Sequence, residues 1–219
     1  MNDVLFLQWV KGPLFSIAVM IFVIGIVLRF AEILSLGRAK NLAVPKSNPS
    51  LGGWREIGRR FKVDQGTFQQ NKITVIAGYV FHVGLFIVMF LLAAHIALIK
   101  HSLGISWSNL PTPVVDMAAV LSMLALVVLL IDRLSQPVKR FLSRRNDYLV
   151  WVATFLPLLT GYMTYHHLGL SPQWLLGLHI LSVEALLVLF PFSKLMHTFT
   201  LFLSRWYNGA SMGLRGVKS

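Results

Sequence analysis

The 219-residue chain carries a net charge of +12, but 56% of its residues are hydrophobic and only 13% are charged. That composition is typical of a membrane protein and argues against both a soluble enzyme and a nucleic-acid-binding protein. Cysteine is absent, which excludes disulfides and cysteine-ligated iron–sulfur clusters within the chain, so any metal must be held by His, Met, Asp or Glu.

Apolar stretches of about 20 residues, the length that crosses a bilayer as a helix, recur along the chain. We predict five such spans, at 13–35, 73–99, 113–133, 148–167 and 174–200. The first has no basic segment before it and no cleavage site after it, so we expect it to be retained and not removed as a signal peptide. None alternates as the strand of a membrane barrel would. The prediction is therefore an all-α, five-helix transmembrane bundle that forms a single membrane domain over 1–219.

Basic residues concentrate in alternate loops, and such loops stay in the cytoplasm. Those predicted to be cytoplasmic are Arg38, Lys40, Lys46, Arg55, Arg59, Arg60, Lys62, Lys72, Lys139, Arg140, Arg144, Arg145, Arg205, Arg215 and Lys218. Only Lys11 and Lys100 fall on the other side. We therefore expect the N-terminus outside and the C-terminus inside, in the cytoplasmic membrane of a bacterium or archaeon.

The predicted cytoplasmic loop 36–72 contains WREIGRRFK, which favours a short amphipathic helix. This loop either rests on anionic lipid headgroups or offers a docking surface for a cytoplasmic partner. No P-loop, GxSxG or HExxH pattern is present, so the sequence indicates no nucleotide or hydrolase site.

All seven histidines lie in or beside the predicted spans, where an imidazole is costly unless it is paired or bound to a metal. They are His82, His95, His101, His166, His167, His179 and His197. Interhelical hydrogen bonding or an interfacial position is the ordinary explanation for any single one of them.

Helix geometry groups four of these histidines into pairs. His179 and His197 are 18 residues apart, which is five turns of a continuous helix and about 27 Å along one face. His82 and His95 are separated by about 20 Å of rise, but by about 140° around their helix. Matched by depth, His95 pairs with His179 and His82 with His197, the arrangement that a dihaem cytochrome b requires. His101, His166 or His167 are alternative partners for His179.

Particular motifs also suggest a family. LFPFSKLMH ending at His197, His179 eighteen residues before it, and FHVG around His82 resemble the gamma subunit of respiratory nitrate reductase. The relatives of that subunit include the haem b membrane subunits of heterodisulfide reductase and of related quinone-linked complexes of sulfate reducers and sulfur oxidisers. In nitrate reductase gamma subunits a second histidine of the second span follows the first more closely than His95 follows His82. Ten residues after His82 this chain has Leu92. The long loop 36–72 is closer to the heterodisulfide-reductase type.

The resemblance implies two b-type haems, with His82 and His197 as axial ligands of the cytoplasmic-side haem and His179 as one ligand of the outer haem. His95 is the expected fourth ligand, on depth alone. The expected function is that of a membrane-anchoring cytochrome b subunit of a respiratory complex. Menaquinol or ubiquinol would be oxidised near the outer face, and electrons would pass to a cytoplasmic iron–sulfur subunit and a catalytic subunit.

Polar residues near the outer haem are candidates for a quinone site: Lys100, His101, His166 and Asp116. Glu184, the one acid in the last span, is expected to satisfy a neighbouring group, and Arg29 and Glu32 to form a local ion pair. Two other functions remain open. One is a transport subunit that conducts protons or metal ions along the histidines, and the other is a haem-free membrane anchor.

Overall fold

A computed structural model describes residues 3–37 and 44–217, and every regular element in them is helical. The helices are α1 (Asp3–Trp9), α2 (Phe15–Ser35), α3 (Pro49–Arg59), α4 (Gln65–Gln70), α5 (Lys72–Leu91), α6 (Ala93–Leu103), α7 (Thr112–Ser135), α8 (Pro137–Leu142), α9 (Arg145–Tyr165), α10 (Pro172–Leu189) and α11 (His197–Leu214). A π-helical turn at Val10–Leu14 joins α1 to α2 without interrupting the helical run. The predicted all-α class is confirmed for this part of the chain. Arg38, Lys40 and Lys218, which entered the orientation argument, lie outside the described residues.

Four helical segments in the described residues are long and apolar enough to cross a membrane: Asp3–Ser35, Lys72–Leu91, Thr112–Ser135 and Pro172–Phe192. They match the first, second, third and fifth predicted spans. The fourth predicted span, 148–167, is the 21-residue helix α9, which is long enough but less apolar. Its three threonines, Thr154, Thr160 and Thr164, each donate to the backbone carbonyl four residues earlier. Back-bonding of this kind lets a hydroxyl lie within an apolar helix.

The chain divides into two compact units. The first comprises the described parts of Met1–Val19 and Asn71–Leu189, and the second comprises those of Met20–Gln70 and Phe190–Ser219. In the first unit α5 packs on α7, α7 on α9, α9 on α10, and α10 on α1. Its core includes Phe81, Leu126 and Leu158, while large apolar side chains such as Ile76 and Leu124 face outward, as expected of helices surrounded by lipid.

Gly84 allows α5 and α7 to approach closely. A Cβ atom at this position would lie 2.0 Å from the Ser122 hydroxyl oxygen and 2.8 Å from the Ala118 carbonyl oxygen. Ser122 is fully buried and donates to that same carbonyl at 2.7 Å. Small residues at helix contacts are the usual means of close packing in membranes.

The predicted second span does not run as one helix. Helix α5 ends at Leu91, Leu92 is extended (φ −78°, ψ 128°), and α6 begins at Ala93. The break leaves carbonyl groups without intrahelical partners, and residues after α6 supply them. The Trp107 indole donates to the Phe90 carbonyl at 2.6 Å, and the Leu110 N–H donates to the Leu91 carbonyl at 3.1 Å.

The predicted last span is also interrupted, so the prediction that His179 and His197 share one face of a continuous helix is wrong. Helix α10 ends at Leu189, and two 3₁₀ turns, Phe190–Phe192 and Lys194–Met196, precede α11. The physical reason is Pro191, which has no N–H and excludes the α-helical carbonyl bond, followed by Ser193 in an extended conformation. The Ser193 side chain then caps the second turn by accepting from the Leu195 N–H.

In the second unit, Arg29 supports this interruption by donating to the Pro191 carbonyl at 3.0 Å. Arg29 also forms the predicted ion pair with Glu32, at 2.7 Å. The ion-pair prediction is therefore confirmed.

The predicted amphipathic helix of the basic loop is α3, which packs on α11 through small residues in the second unit. A Cβ at Gly52 would lie 2.5 Å from the Gly209 carbonyl oxygen, and one at Gly53 would lie 2.6 Å from the Trp206 ring. Glu56 is buried beside this contact and accepts from Arg59 and from Arg60, the latter at 2.6 Å. Hydrogen bonding to Arg60 lowers the pKa of the Glu56 carboxyl, and burial opposes that effect without overcoming it.

We predict that Gly84→Ala destabilises the first unit by about 1–3 kcal/mol, the usual cost of overpacking, because the new methyl group meets Ser122 and the α7 backbone. Gly78→Ala is the matched control, since it lies on the same helix with open space at its Cβ position. Thermal unfolding of the detergent-solubilised protein compares the two variants. Equal midpoints for both would contradict the packing assigned to Gly84.

We predict that Glu56→Gln lowers stability by about 1–3 kcal/mol at neutral pH, because the arginines lose a buried charged acceptor. Since the folded-state pKa of Glu56 is lowered, its contribution is complete above the pKa of an unfolded glutamate and is lost as the pH falls through the folded value. Thermal unfolding of both proteins along a pH series should therefore show the difference at pH 7 and its decrease in acid. A difference that stays constant with pH would contradict the charged role of Glu56.

Candidate haem-ligand site

The structure brings together the imidazoles of His95 and His179 in the first unit. Their ring centroids lie 6.2 Å apart, and the ring planes differ by only 15°. Both rings are half-buried. This is the pair that sequence depth had matched, and the break at Leu92 explains how His95 reaches it. The objection that His82 and His95 point 140° apart assumed a continuous helix, which ends at Leu91.

The orientation of the His95 ring is set by a backbone carbonyl that the helix break leaves available. Its Nδ1 lies 2.9 Å from the Val88 carbonyl oxygen, seven residues earlier. Because a carbonyl only accepts, Nδ1 must carry the proton. The Nε2 atom of neutral His95 therefore carries the lone pair, which is the state that binds a metal.

The same tautomer follows for His179 from its hydrogen bonds to α9. Thr160 Oγ1 lies 3.3 Å from His179 Nδ1 and donates its own proton to the Leu156 carbonyl at 2.7 Å. The imidazole is also hydrogen-bonded to the Pro157 backbone, which offers only a carbonyl. Thr160 and Pro157 thus act as acceptors, and His179 Nδ1 is the donor. Ser182, whose hydroxyl donates to the His179 carbonyl at 2.7 Å, completes this polar cluster.

Gly161 provides the space that the His179 ring occupies. A Cβ at this position would lie 3.0 Å from the Cε1 and 3.3 Å from the Nδ1 of the imidazole. Any side chain larger than hydrogen would therefore push the ring from its position against α9. Gly161 fixes how deeply the ring sits, while Thr160 and Pro157 fix how it is rotated.

The centroid spacing of the two imidazoles is compatible with a bis-histidine haem. Metal–nitrogen bonds of about 2 Å on either side of one iron place the centroids of two opposed imidazoles roughly 6 Å apart, which is the observed spacing. Hydrogen bonds from Nδ1 to carbonyl or hydroxyl oxygens are the usual means by which ligand histidines are oriented. Within the described residues α10 packs along α9 and α1, not along α5 or α6, so the two imidazoles lie outside a tight helix contact.

The two histidines predicted to ligate the second haem also have Nδ1 within hydrogen-bond distance of a backbone carbonyl. His82 Nδ1 lies 2.7 Å from the Gly78 carbonyl oxygen, and His197 Nδ1 lies 2.7 Å from the Lys194 carbonyl oxygen. Each therefore carries its proton on Nδ1. His82 belongs to the first unit and His197 to the second, so their pairing stays a prediction from sequence. The described residues contain no cluster of three or more His, Asp or Glu suited to a bare metal ion.

Two of the four quinone-site candidates form a pair. His166 Nε2 lies 3.5 Å from Asp116 Oδ2, and the imidazole packs against Tyr162 at 4.4 Å between centroids. Lys100 and His101 lie in the last turn of α6, and within the described chain their side chains form no hydrogen bond or ion pair. His167, a considered alternative ligand, lies two residues after the end of α9, in the left-handed region at φ 54°.

Several residues of the site could not have been recognised from the histidine pattern. Thr160 and Gly161 stand side by side on α9 and orient His179, yet a Thr-Gly pair in an apolar helix is a common feature with no specific signal. The glycines near the predicted ligands differ in their surroundings. Gly84 meets α7, and a Cβ at Gly177 would lie 2.3 Å from the Phe6 ring, whereas Gly78 faces open space.

Glu184 lies five residues after His179 on α10 and is only 5% exposed. Its Oε1 atom has no hydrogen-bond partner among the described residues. Glu184 was expected to form a hydrogen bond with a neighbouring group, and no such bond is present at Oε1 in the described residues.

Comparison with known proteins finds one similar protein at low identity. A protein of Nitratidesulfovibrio vulgaris, described only as "Protein", is 27% identical over 212 residues, covering 94% of this chain and 93% of its own length. No family model matches the chain. No solved structure matches it either.

We predict that His95 and His179 are protonated at Nδ1 in the cofactor-free chain at neutral pH, because each Nδ1 faces oxygen acceptors. Histidine-selective ¹⁵N NMR distinguishes the two tautomers, and single His→Gln variants assign the signals. His101, which is exposed, is the internal control and should show the averaged signal of a ring in water. A proton on Nε2 of either histidine would contradict the assigned orientation.

Proposed function

We propose that the chain is a membrane-embedded cytochrome b, the anchoring and electron-transfer subunit of a respiratory redox complex. The observation that carries the proposal is the opposed imidazole pair of His95 and His179, 6.2 Å apart and nearly parallel. The pair is not a hydrogen bond between the two rings, since His95 Nδ1 is directed to the Val88 carbonyl of α5 and His179 Nδ1 to Thr160 of α9. Axial ligation requires two imidazoles with free Nε2 lone pairs, and the centroid spacing of this pair is compatible with one iron between them.

In this proposal His95 and His179 hold a haem b through Nε2, and the surrounding residues keep both rings in place. Val88 orients His95, while Thr160, Pro157 and Gly161 orient His179. The bound haem supplies reversible one-electron transfer. A second haem ligated by His82 and His197 belongs to the proposal on the strength of the family resemblance.

The proposed topology has five spans, with the N-terminus outside and the C-terminus in the cytoplasm of a bacterial or archaeal cell. Four apolar helices support most of it, and α9 is proposed as the fifth span because its length matches a bilayer. The polar side of α9 is then explained by its role, since Thr160 serves the His179 ring. The excess of Lys and Arg in alternate loops supports the orientation.

We place quinol oxidation at the predicted outer face, near the His95–His179 pair. The His166–Asp116 pair is the candidate acceptor for quinol protons, because an imidazole oriented by a carboxylate is a common general base. Electrons then continue to a cytoplasmic iron–sulfur subunit and its catalytic partner. The basic loop, including α3, is the surface proposed to face that side.

The test is a haem count on purified protein by the pyridine haemochrome method. We expect His95→Ala and His179→Ala each to lose about one haem per chain, and the double variant to lose no more than either alone, because both ligands serve one iron. His101→Ala is the matched control and should keep the wild-type count, since that exposed imidazole has no role in ligation.

Two results would overturn the proposal. A wild-type protein without a b-type α band in its reduced-minus-oxidised spectrum would indicate a haem-free anchor or a transport subunit. Retention of every haem in the double variant would remove His95 and His179 from ligation, whatever the total count.

A further inference from the structure

We propose that a pocket between α3 and α11 binds the phosphate of an anionic phospholipid. The pocket has a volume of about 220 Å³ and lies wholly within the second unit. Its lining is polar and includes two arginines and one acid: Glu56, Arg60, Ser204, Arg205 and Asn208. The proposal does not depend on the haem assignment, because these residues belong to the second unit and the His95–His179 pair belongs to the first.

Arg205 is the residue that points to an anion. It is half-buried, yet it forms no hydrogen bond or ion pair within the described residues. Burying part of a guanidinium without an acceptor is unfavourable, because the group loses water and gains nothing in return. Phosphate oxygens match the forked donor geometry of arginine and would supply the missing acceptors.

The single acid of the pocket does not cancel this attraction. Glu56 is held by two arginines, Arg59 and Arg60, so its charge is already compensated. Arg60 uses its Nε for that contact, at 2.6 Å, which leaves its terminal nitrogens as donors toward the pocket. Arg205 therefore adds a positive charge without a local counter-charge, and the Asn208 amide adds a neutral donor beside it.

The surroundings of the pocket favour a lipid over a soluble anion. Large apolar side chains next to its lining residues are exposed: Phe61 follows Arg60 and is 63% exposed, and Phe202, two residues before Ser204, is 50% exposed. The two rings lie 6.4 Å apart, so they form one apolar patch. Trp54, on the same α3 helix, is 65% exposed. A basic pocket beside exposed aromatic rings matches a phospholipid, whose phosphate and acyl chains need both surfaces.

The experiment uses the full chain in a neutral detergent and measures lipid binding by native mass spectrometry and by thermal unfolding. The probes are dioctanoyl phosphatidylglycerol, dioctanoyl phosphatidylcholine and inorganic phosphate at matched ionic strength. We expect saturable binding of phosphatidylglycerol, much weaker binding of the zwitterionic lipid, and no stabilisation by inorganic phosphate. Arg205→Gln should weaken phosphatidylglycerol binding about tenfold or more, since it removes a charge-assisted contact.

Arg55→Gln is the matched control, because Arg55 is an exposed arginine of α3 outside the pocket. It removes the same charge and should change the affinity less than about twofold. Within the described residues Arg205 has no hydrogen-bond or ion-pair partner, so Arg205→Gln should unfold at the wild-type temperature without lipid, which separates lost binding from lost folding. Arg205→Lys retains the charge and should bind with intermediate affinity.

Three outcomes would overturn the proposal. Equal losses in Arg55→Gln and Arg205→Gln would indicate a diffuse basic surface and no pocket. Equal stabilisation by inorganic phosphate and by the lipid would identify a soluble phosphate as the ligand. Unchanged lipid binding in Arg205→Gln, with loss of a co-purifying protein, would indicate a protein contact at this position.

Discussion

The interruption of the second span at Leu92 is the feature on which the candidate site depends. Inside a bilayer no water is available to satisfy a broken helix, so each freed backbone group needs a protein partner. Here the Phe90 carbonyl accepts from Trp107, the Leu91 carbonyl from Leu110, and the Val88 carbonyl from His95. The last of these bonds fixes the ring that faces His179. The helix break and the orientation of His95 therefore have one cause, because the carbonyl that the helix leaves unpaired is the one that positions the imidazole.

The helical class and most of the spans could be predicted, because a stretch of 20 apolar residues has few alternatives in a protein. The ion pair of Arg29 and Glu32 could also be predicted from the sequence, since it depends only on spacing along one helix. The helix break at Leu92 could not be predicted from the sequence. LLAAHIAL around it is apolar and rich in good helix formers, and its partners, Trp107 and Leu110, come from a later segment.

The interruption before His197 differs, since its cause is visible in the sequence. Pro191 within LFPFSKLMH is a strong reason for a helix to end, and reading His179 and His197 as one continuous face gave that residue too little weight. The spacing of 18 residues still has meaning, but not as five helical turns. Each histidine is instead fixed locally: His197 by the Lys194 carbonyl three residues earlier, and His179 by α9. Local fixation makes each ring's orientation independent of the helical register between them.

The polarity of α9 follows from the same constraint. An imidazole that must present Nε2 to a metal needs an acceptor at Nδ1, and in an apolar helix that acceptor has to be a carbonyl or a hydroxyl. Pro157 cannot donate to the carbonyl of Ala153, and proline in a helix commonly leaves nearby backbone groups open to other partners. The Pro157 carbonyl and the Thr160 hydroxyl meet His179 within one turn of that proline, and Gly161 leaves the ring room to enter. A fully aliphatic α9 would cross a membrane more favourably, but it would leave His179 Nδ1 without the Thr160 acceptor and the ring free to turn. The Thr160 hydroxyl and the small size of Gly161 thus hold a histidine in one tautomer and one rotation within an apolar helix.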